Sequence, residues 1–406
     1  MGTRLLEPAQ TGAEPGDRRY RYPVVSHSRH GLHRLRDLVN HDQQGFATNV
    51  YARLFSIEPG LRDLFGPSMT ETRGKFAGVI DHVLEAIPAP GGQDELVEFL
   101  AQLGRDHRKY DIAPEAYDHM YRALMDEFAA IMGPDWDDDT QQAASQAMLL
   151  TTGVMRGAAQ MAEGPARWTA QVVEKFQISR DLAVVRLMAQ NRPAYKSGQY
   201  LEVQIPQWPT TWRNLSPAIP PNKHGEIEFH VRAVPGGLFS TSVVKETAVG
   251  DQWTFAQAHG TLHIDPGRPV LMVAGGTGLA PLRALLLDMA RRVDQVPTHV
   301  FYGARYPGEL YDLAVLRRIC ATNPWLMITA VSEHTEDPWW LDASVTPTAL
   351  GIEHRYGTLA NVVVGYQDWS DHQVLVAGSA DMIESTRTRL IITGVPARRI
   401  QHDPVI

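Results

Sequence analysis

The stretch Val270 to Pro281 reads VLMVAGGTGLAP. Its first five residues form an uninterrupted apolar run of strand length. Gly275-Gly276-Thr277-Gly278 follows, and then an apolar helical pattern. Strands covered on both faces of a parallel sheet read this way, without alternation. Glycines at such a turn let the backbone come close to a pyrophosphate, and a helix N-terminus presents free N–H groups to the anion. Glycine-rich turns also serve packing alone, but the strand–turn–helix context favours the anion reading. Further along, THVFYG, LMITAVS and QVLVAG repeat the buried-strand pattern, with helical segments between them. This alternation predicts a doubly wound parallel sheet over residues 267–406.

Upstream the texture changes twice. From Trp168 to about Thr261 the strand patterns QVVEKFQIS, LAVVRLMAQ, YLEVQI, EIEFHVRAV and QWTFA are separated by Gly, Pro and Asp turns. They predict a small antiparallel β-barrel over residues 164–266. Before Glu163-Gly164-Pro165 the pattern is helical, and residues 28–163 are read as an all-α domain. Phe46, Val50, Tyr51, Leu54 and Phe55 share one helical stripe, as do Phe76, Val79, Ile80, Val83, Leu84 and Ile87. Tyr117, Tyr121, Leu124 and Phe128 form a third. Breakers at Pro59-Gly60, Gly66-Pro67, Pro88 to Gly92 and Gly133-Pro134 separate them. Residues 1–27 read as an N-terminal arm.

With 406 residues, the chain has room for two or three domains. A formal charge of −8 argues against nucleic acid or anionic lipid as the main partner. No apolar run is long enough to span a bilayer, and the N-terminus has no apolar signal core. A cytoplasmic location is therefore expected. The single Cys320 excludes an intrachain disulfide or a thiolate-only metal site within one chain, and it reads as a small buried residue.

One histidine stands among informative neighbours. His107 lies in LGRDHRKYDI, just ahead of APEAYDHM, where a new helix begins. A five-coordinate haem takes one neutral imidazole on its proximal side and leaves the distal side open to gas. A lone helical His is more often surface decoration. Here Phe65 stands before a Gly-Pro corner, and Tyr51 brings a phenol able to hydrogen-bond bound dioxygen.

On these residues the helical part resembles the globin domain of flavohaemoglobins. FATNVYARLFSIEPGLRDLFGP looks like that family's distal tyrosine segment and haem-facing phenylalanine, and GRDHRKYDIAPEAYDHM like its proximal histidine segment. The resemblance implies haem b ligated by His107, with Tyr51 distal and Tyr117 as the proximal tyrosine. Three features depart from it. Near Met69–Thr72, where a distal Gln is expected, the chain offers Thr70, Glu71 and Thr72. Lys75 stands about where an apolar distal residue is expected. The late-helix glutamate that polarises the imidazole has no placed counterpart, Glu163 being close in sequence but at the domain boundary, and its loss would make His107 a weaker donor to iron.

VLMVAGGTGLAP in turn resembles the pyridine-nucleotide loop of the ferredoxin-reductase superfamily. VFYGARYPGELYDL looks like its adenosine-side segment, with Arg305 and the run Glu309 to Asp312. VLVAGSADM resembles its nicotinamide-side turn, with Ala377 and Ser379 in place of the usual Cys and Pro, so Gly378 shapes that pocket. The family's flavin signature Arg-x-Tyr-Ser reads Arg213-Asn214-Leu215-Ser216 here, after YKSGQYLEVQI with Tyr200. The resemblance implies that Arg213 pairs with a flavin phosphate and that Ser216 points to the isoalloxazine ring. Leu215 replaces the ring-packing tyrosine. In VPGGLFSTSVV, Gly236, Gly237, Ser240 and Thr241 offer donors to the pyrophosphate at a helix start. The end, Gln401-His402-Asp403-Pro404-Val405-Ile406, lacks the aromatic residue that usually covers the flavin.

The resemblance therefore implies an NAD(P)H-dependent flavohaem oxidoreductase that uses haem, FAD and NADH or NADPH, with NADH favoured. It would dioxygenate nitric oxide to nitrate with O2. Two other readings compete: electron transfer to a quinone, another organic substrate or a partner protein, and a haem gas sensor. Oligomeric state is not legible.

Overall fold

The computed structural model describes residues 26–403, except 67, 90, 92, 192 and 342–346. The expected N-terminal arm up to residue 25 and the chain end at 404–406 lie outside the described residues. Two compact units form. One is built from the N-terminal helices. The other runs from Met161 onward and also takes in Leu64–Gly66 and Arg105–Ile112. Two pieces of the expected 28–163 domain, carrying Phe65 and His107, thus group with the barrel-containing unit.

The helical unit contains α1 (Ser26–His41), α2 (Gln43–Ile57), α3 (Thr70–Ala86), α4 (Gln93–His107), α5 (Glu115–Met132) and α6 (Asp138–Met161). Asp42 starts α2 by accepting the Gly45 N–H at 2.8 Å, satisfying one of the helix's free donors. The predicted stripes turn inward. Phe46 on α2 stacks on Phe76 of α3 and Phe128 of α5, with ring centroids 6.3 and 5.8 Å apart. An unforeseen polar clamp joins the same helices: the buried Glu127 carboxylate accepts Asn49 Nδ2 and Arg53 Nε, each at 2.8 Å. Gly104 lets α4 lie directly on α6, since a Cβ there would overlap the Met155 backbone.

In the second unit β1 (Trp168–Ser179), β2 (Leu182–Ala189), β3 (Tyr200–Gln204), β4 (Arg213–Leu215), β5 (Glu226–Arg232) and β6 (Gln252–His259) pair antiparallel in the order β4-β3-β6-β1-β2-β5, with α7 (Leu238–Lys245) beside them. A bridge between Pro217, just past β4, and Phe229 of β5 joins the two edges, so the sheet closes as a barrel. Ala183, Val185 and Leu187 alternate into a core with Trp253 and Phe255.

The remainder is β7 (Val270–Gly275), α8 (Leu279–Met289), β8 (Thr298–Ala304), α9 (Leu313–Thr322), β9 (Leu326–Ser332), β10 (Glu353–Tyr356), α10 (Leu359–Tyr366), β11 (Gln373–Ala377), α11 (Ala380–Ile392) and β12 (Ile400–Gln401). The strands are parallel, in the order β10-β9-β8-β7-β11-β12. The unbroken apolar run of β7 now has its reason: Val270, Met272 and Ala274 face one core layer, and Leu271 and Val273 face the other. Cys320 is only half-buried, and its Sγ donates to the Leu326 carbonyl at 3.2 Å. Among the described residues no helix is long and apolar enough to cross a membrane.

Candidate functional site

The strand order reverses at β7, whose neighbours β8 and β11 are reached in opposite directions. Ligands of such sheets bind beyond the strands' C-terminal ends at that reversal. A cleft of about 1000 Å³ opens there, between the ends of β7, β8, β9 and β11 and the barrel. It brings together Gly275, Gly276, Thr277, Gly278, Arg305 and Gly378 with Tyr200, Asn214, Leu215 and Ser216 of the barrel. Those predicted residues meet in one place although the sequence separates them widely.

The glycines divide into two roles. A Cβ on Gly278 would overlap the Ala377 carbonyl, and one on Gly378 would lie 3.3 Å from Gly275 Cα. These three therefore allow the β7 and β11 turns to touch, which is a packing role. Gly276 differs: its φ is +54°, and nothing lies within 4 Å of a Cβ built on it. It is there for backbone conformation beside open space, and α8 starts just after it with no side-chain cap on its first N–H groups. A bare backbone cradle of this kind fits a pyrophosphate. Gly278→Ala is expected to pry the two turns apart at about 1–3 kcal/mol. The KM for pyridine nucleotide should rise about tenfold with an artificial acceptor. An unchanged KM would show that the contact between the turns does not shape the nucleotide site.

Other predicted positions fall elsewhere. Arg213 is exposed, and its guanidinium donates to the neighbouring Trp212 carbonyl at 2.9 Å. Gly236, Gly237, Ser240 and Thr241 lie outside the lining of the cleft, where Val234 stands instead. Ser240 Oγ caps its own turn, accepting Val234 N–H at 3.2 Å and donating to Gly237 O at 3.1 Å.

Among the cleft residues not singled out from the sequence are His230, Glu333 and Asp403. Glu333 follows directly on β9, a position that the rule of C-terminal strand ends could have flagged. Asp403 stands where the usual aromatic was sought, and burial pushes its carboxyl up to about 6 although the Thr261 N–H opposes this. His230 heads a buried polar network. Its Nδ1 meets Tyr311 OH at 2.8 Å and its Nε2 meets Glu228 Oε1 at 3.0 Å, so a proton on Nε2 satisfies both contacts. Glu228 also accepts Arg186 Nε at 2.7 Å and Arg283 Nη1 at 2.5 Å. Arg283 Nε lies 3.2 Å from Asp312 Oδ2. Burial pushes the Glu228 carboxyl up, but His230 and the two guanidiniums outweigh it and hold it far below the carboxylate range. Asp312 goes the other way, raised by burial against the pull of Arg283. Asp312 therefore serves this network and not the cleft, while Arg305 and Glu309 do line it.

In the helical unit Tyr51 is buried on α2, its ring 5.8 Å from Phe55 and 5.1 Å from Phe76. Tyr117 is buried on α5, and burial raises its phenol pKa. Lys75 does not occupy an apolar distal position: it is exposed and paired with Glu71 at 2.8 Å, because an unpaired ammonium would lose its hydration inside. Phe76, one residue on, turns inward instead. Arg73, one turn before Phe76 on the same face, has a buried Nε with no hydrogen-bond partner among the described residues. The buried residues of α6 include no carboxylate. His107 ends α4 in the piece that groups with the barrel-containing unit, and its ring centroid lies 6.1 Å from that of Tyr110. Among the described residues no three His, Cys, Asp or Glu gather as a metal site.

Residues 169–264 match the oxidoreductase FAD-binding domain family, residues 272–388 the oxidoreductase NAD-binding domain family, and residues 48–155 the globin family. Reductase component 1 of terephthalate 1,2-dioxygenase from Comamonas sp is 30% identical over 246 residues, which is 59% of this chain and 69% of that relative. A flavohemoglobin from Malassezia yamatoensis, solved with bound FAD and heme, covers 94% of this chain and 99% of its own, with a TM-score of 0.70 and 15% identity, a likeness of fold. A cytochrome P450 reductase from Amycolatopsis is 26% identical with a TM-score of 0.51, covering 59% of this chain and 70% of its own. The chain belongs to the family of FAD- and NAD-binding oxidoreductases and carries a globin domain in the same polypeptide, the domain set of a flavohaemoglobin.

Proposed function

We propose that the protein passes electrons from NADH through FAD to a haem on His107 and, with dioxygen bound there, converts nitric oxide to nitrate. The observation that carries this reading is the joint presence of a backbone-lined nucleotide cleft and a globin domain holding a buried Tyr51. The balance is two NO and two O2 with one NADH, giving two nitrates, NAD+ and one proton. Bound haem would supply reversible one-electron chemistry and an open site for gas, and bound FAD would split the hydride's two electrons. His107 would ligate iron. Tyr51 would donate its O–H to bound dioxygen, a contact worth roughly 1.5–3 kcal/mol. Tyr200, Leu215 and Ser216 would line the flavin side, and Gly276 with the start of α8 the pyrophosphate side.

The missing α6 carboxylate, the missing distal Gln and Leu215 each touch a contact that commonly tunes such chemistry by about 10–100-fold. On stopped-flow mixing with NADH, flavin bleaching is expected to be fast and haem reduction slower, with measurable nitrate from NO. Haem reduction that kept pace with the flavin, together with fast NO turnover, would show these departures to be silent. A reductase serving a separate oxygenase is the second reading, favoured by the relative from the terephthalate system. A haem spectrum that never responds to NADH would select it.

For the nucleotide, Glu333 carries the preference. A 2′-phosphate adds about −1.5 to −2 charge, which a carboxylate on the same wall opposes. Glu333→Ala is expected to raise kcat/KM for NADPH relative to NADH by about tenfold. An unmoved ratio would place the adenosine ribose away from Glu333.

A further inference from the structure

The segment Arg105–Ile112 packs on the barrel through charge. Lys109 donates from Nζ to Glu202 Oε1; the lysine side chain is buried, at 8% exposure, and the carboxylate's is partly so, at 15%. The ammonium also lies 5.1 Å from the Tyr110 ring and 5.9 Å from the Trp212 ring. Arg108 donates to the carbonyls of Glu163 and Gly164, at 3.3 and 2.7 Å. The turn then closes at Asp111, the only non-glycine residue with positive φ among the described residues, at +54°. Glu202 sits at a register shift of β3 against β6, where the ladder is interrupted.

Beside this pair stands His259, the cross-strand partner of Tyr200. Its Nε2 lies 3.6 Å from both Glu202 Oε2 and Asp106 Oδ1, and its ring centroid is 5.6 Å from that of Tyr200. Glu202, with Asp106 behind it, raises the His259 pKa against the opposing effect of burial. Tyr200 is itself a wall of the cleft. A continuous chain of contacts therefore runs from the cleft through Tyr200 and His259 to Asp106, the residue next to His107. A buried ion pair of this quality is weak evidence for stability, because desolvation offsets most of the attraction. Its better-attested effect is to hold one geometry.

We propose that Lys109, Glu202, His259 and Asp106 seat the His107 segment against the wall of the flavin cleft, with His259 as the positioning residue that couples the two redox centres. This rests on the function proposed above, in which one NADH supplies the electrons that take two ferric irons to ferrous with release of one proton. None of the four residues needs to touch substrate. Their role is to keep the transfer distance short and constant.

The test uses the full-length, haem- and flavin-loaded protein. His259→Phe keeps a ring on Tyr200 but loses the contact to Asp106. Flavin bleaching by NADH should keep its rate, while the following haem reduction slows about tenfold. Amide hydrogen exchange over Arg105–Ile112 should quicken in the same variant, a readout that needs no turnover. Lys109→Glu and Glu202→Lys should each slow haem reduction, and the two combined should restore most of it. Wild-type haem reduction and exchange in folded, haem-loaded His259→Phe would overturn the proposal, as would a failure of the charge swap to rescue either single change. A wild-type protein that binds haem but never reduces it with NADH would instead bring down the functional reading beneath.

Discussion

Replacing His107 with Ala is expected to abolish the ferrous–carbon monoxide spectrum and leave flavin absorbance intact. The expectation follows from the donor set. His107 ends α4 immediately before the turn Arg108–Tyr110, and no cluster of alternative ligands exists among the described residues. Iron in haem gains its protein affinity and spin state from the axial imidazole, so removing that nitrogen leaves only porphyrin packing. The cleft is lined by residues from Tyr200 to Asp403, none on α4. Flavin content and NADH-driven reduction of an artificial acceptor should therefore stay near wild type. A normal ferrous–carbon monoxide spectrum in the variant would remove His107 from the site. His119, whose Nδ1 is buried without a hydrogen-bond partner among the described residues, would be the next residue to replace.

Glu228→Ala is expected to cost about 3–5 kcal/mol of stability, the usual consequence of leaving a buried charge without its partner. Three side chains lean on this carboxylate: Arg186, Arg283 and His230. They come from β2, α8 and β5, so the barrel and the parallel-sheet part lose a shared anchor together. Glu228→Gln keeps the shape and one acceptor oxygen and should lose less. Urea denaturation, followed by flavin release and by circular dichroism, measures both. A loss under about 1 kcal/mol for Glu228→Ala would mean that water reaches the guanidiniums. The pH dependence has a definite sign. The folded carboxyl is depressed, so its contribution is complete above the ordinary carboxylate range and is lost as pH falls toward the folded value. Wild type should therefore weaken in acid through this group, and the Gln variant should show a flatter acid limb.

Much of the architecture was legible because it is local. The apolar run Val270–Ala274, the glycine turn after it and the helical stripe of Phe46, Val50, Tyr51 and Leu54 are properties of consecutive residues, and period and turn chemistry need no knowledge of the rest of the fold. Tyr200, Ser216, Gly276 and Gly378, which line the cleft, each sit in a motif a few residues long that marks them in the sequence. Lys75 stands about where the resemblance expects an apolar residue, and Arg213 where it implies a flavin-phosphate partner, but position along a motif does not say which way a long charged side chain turns. Solvation of the ammonium took Lys75 outward, and Arg213, exposed on β4, donates to the neighbouring Trp212 carbonyl. Glu333 and Asp403 follow strands far apart in sequence and line one cleft only because the parallel sheet brings their ends to the same edge. Glu228 and Glu202 keep depressed carboxyls because the elements packed around them supply cationic and hydrogen-bonding partners that outweigh burial. The sequence by itself determined the element types, their order and the backbone cradle. Only the tertiary structure decided which charges were stripped of water and which partners faced them, because desolvation depends on the whole surrounding shell and not on the neighbours in the chain.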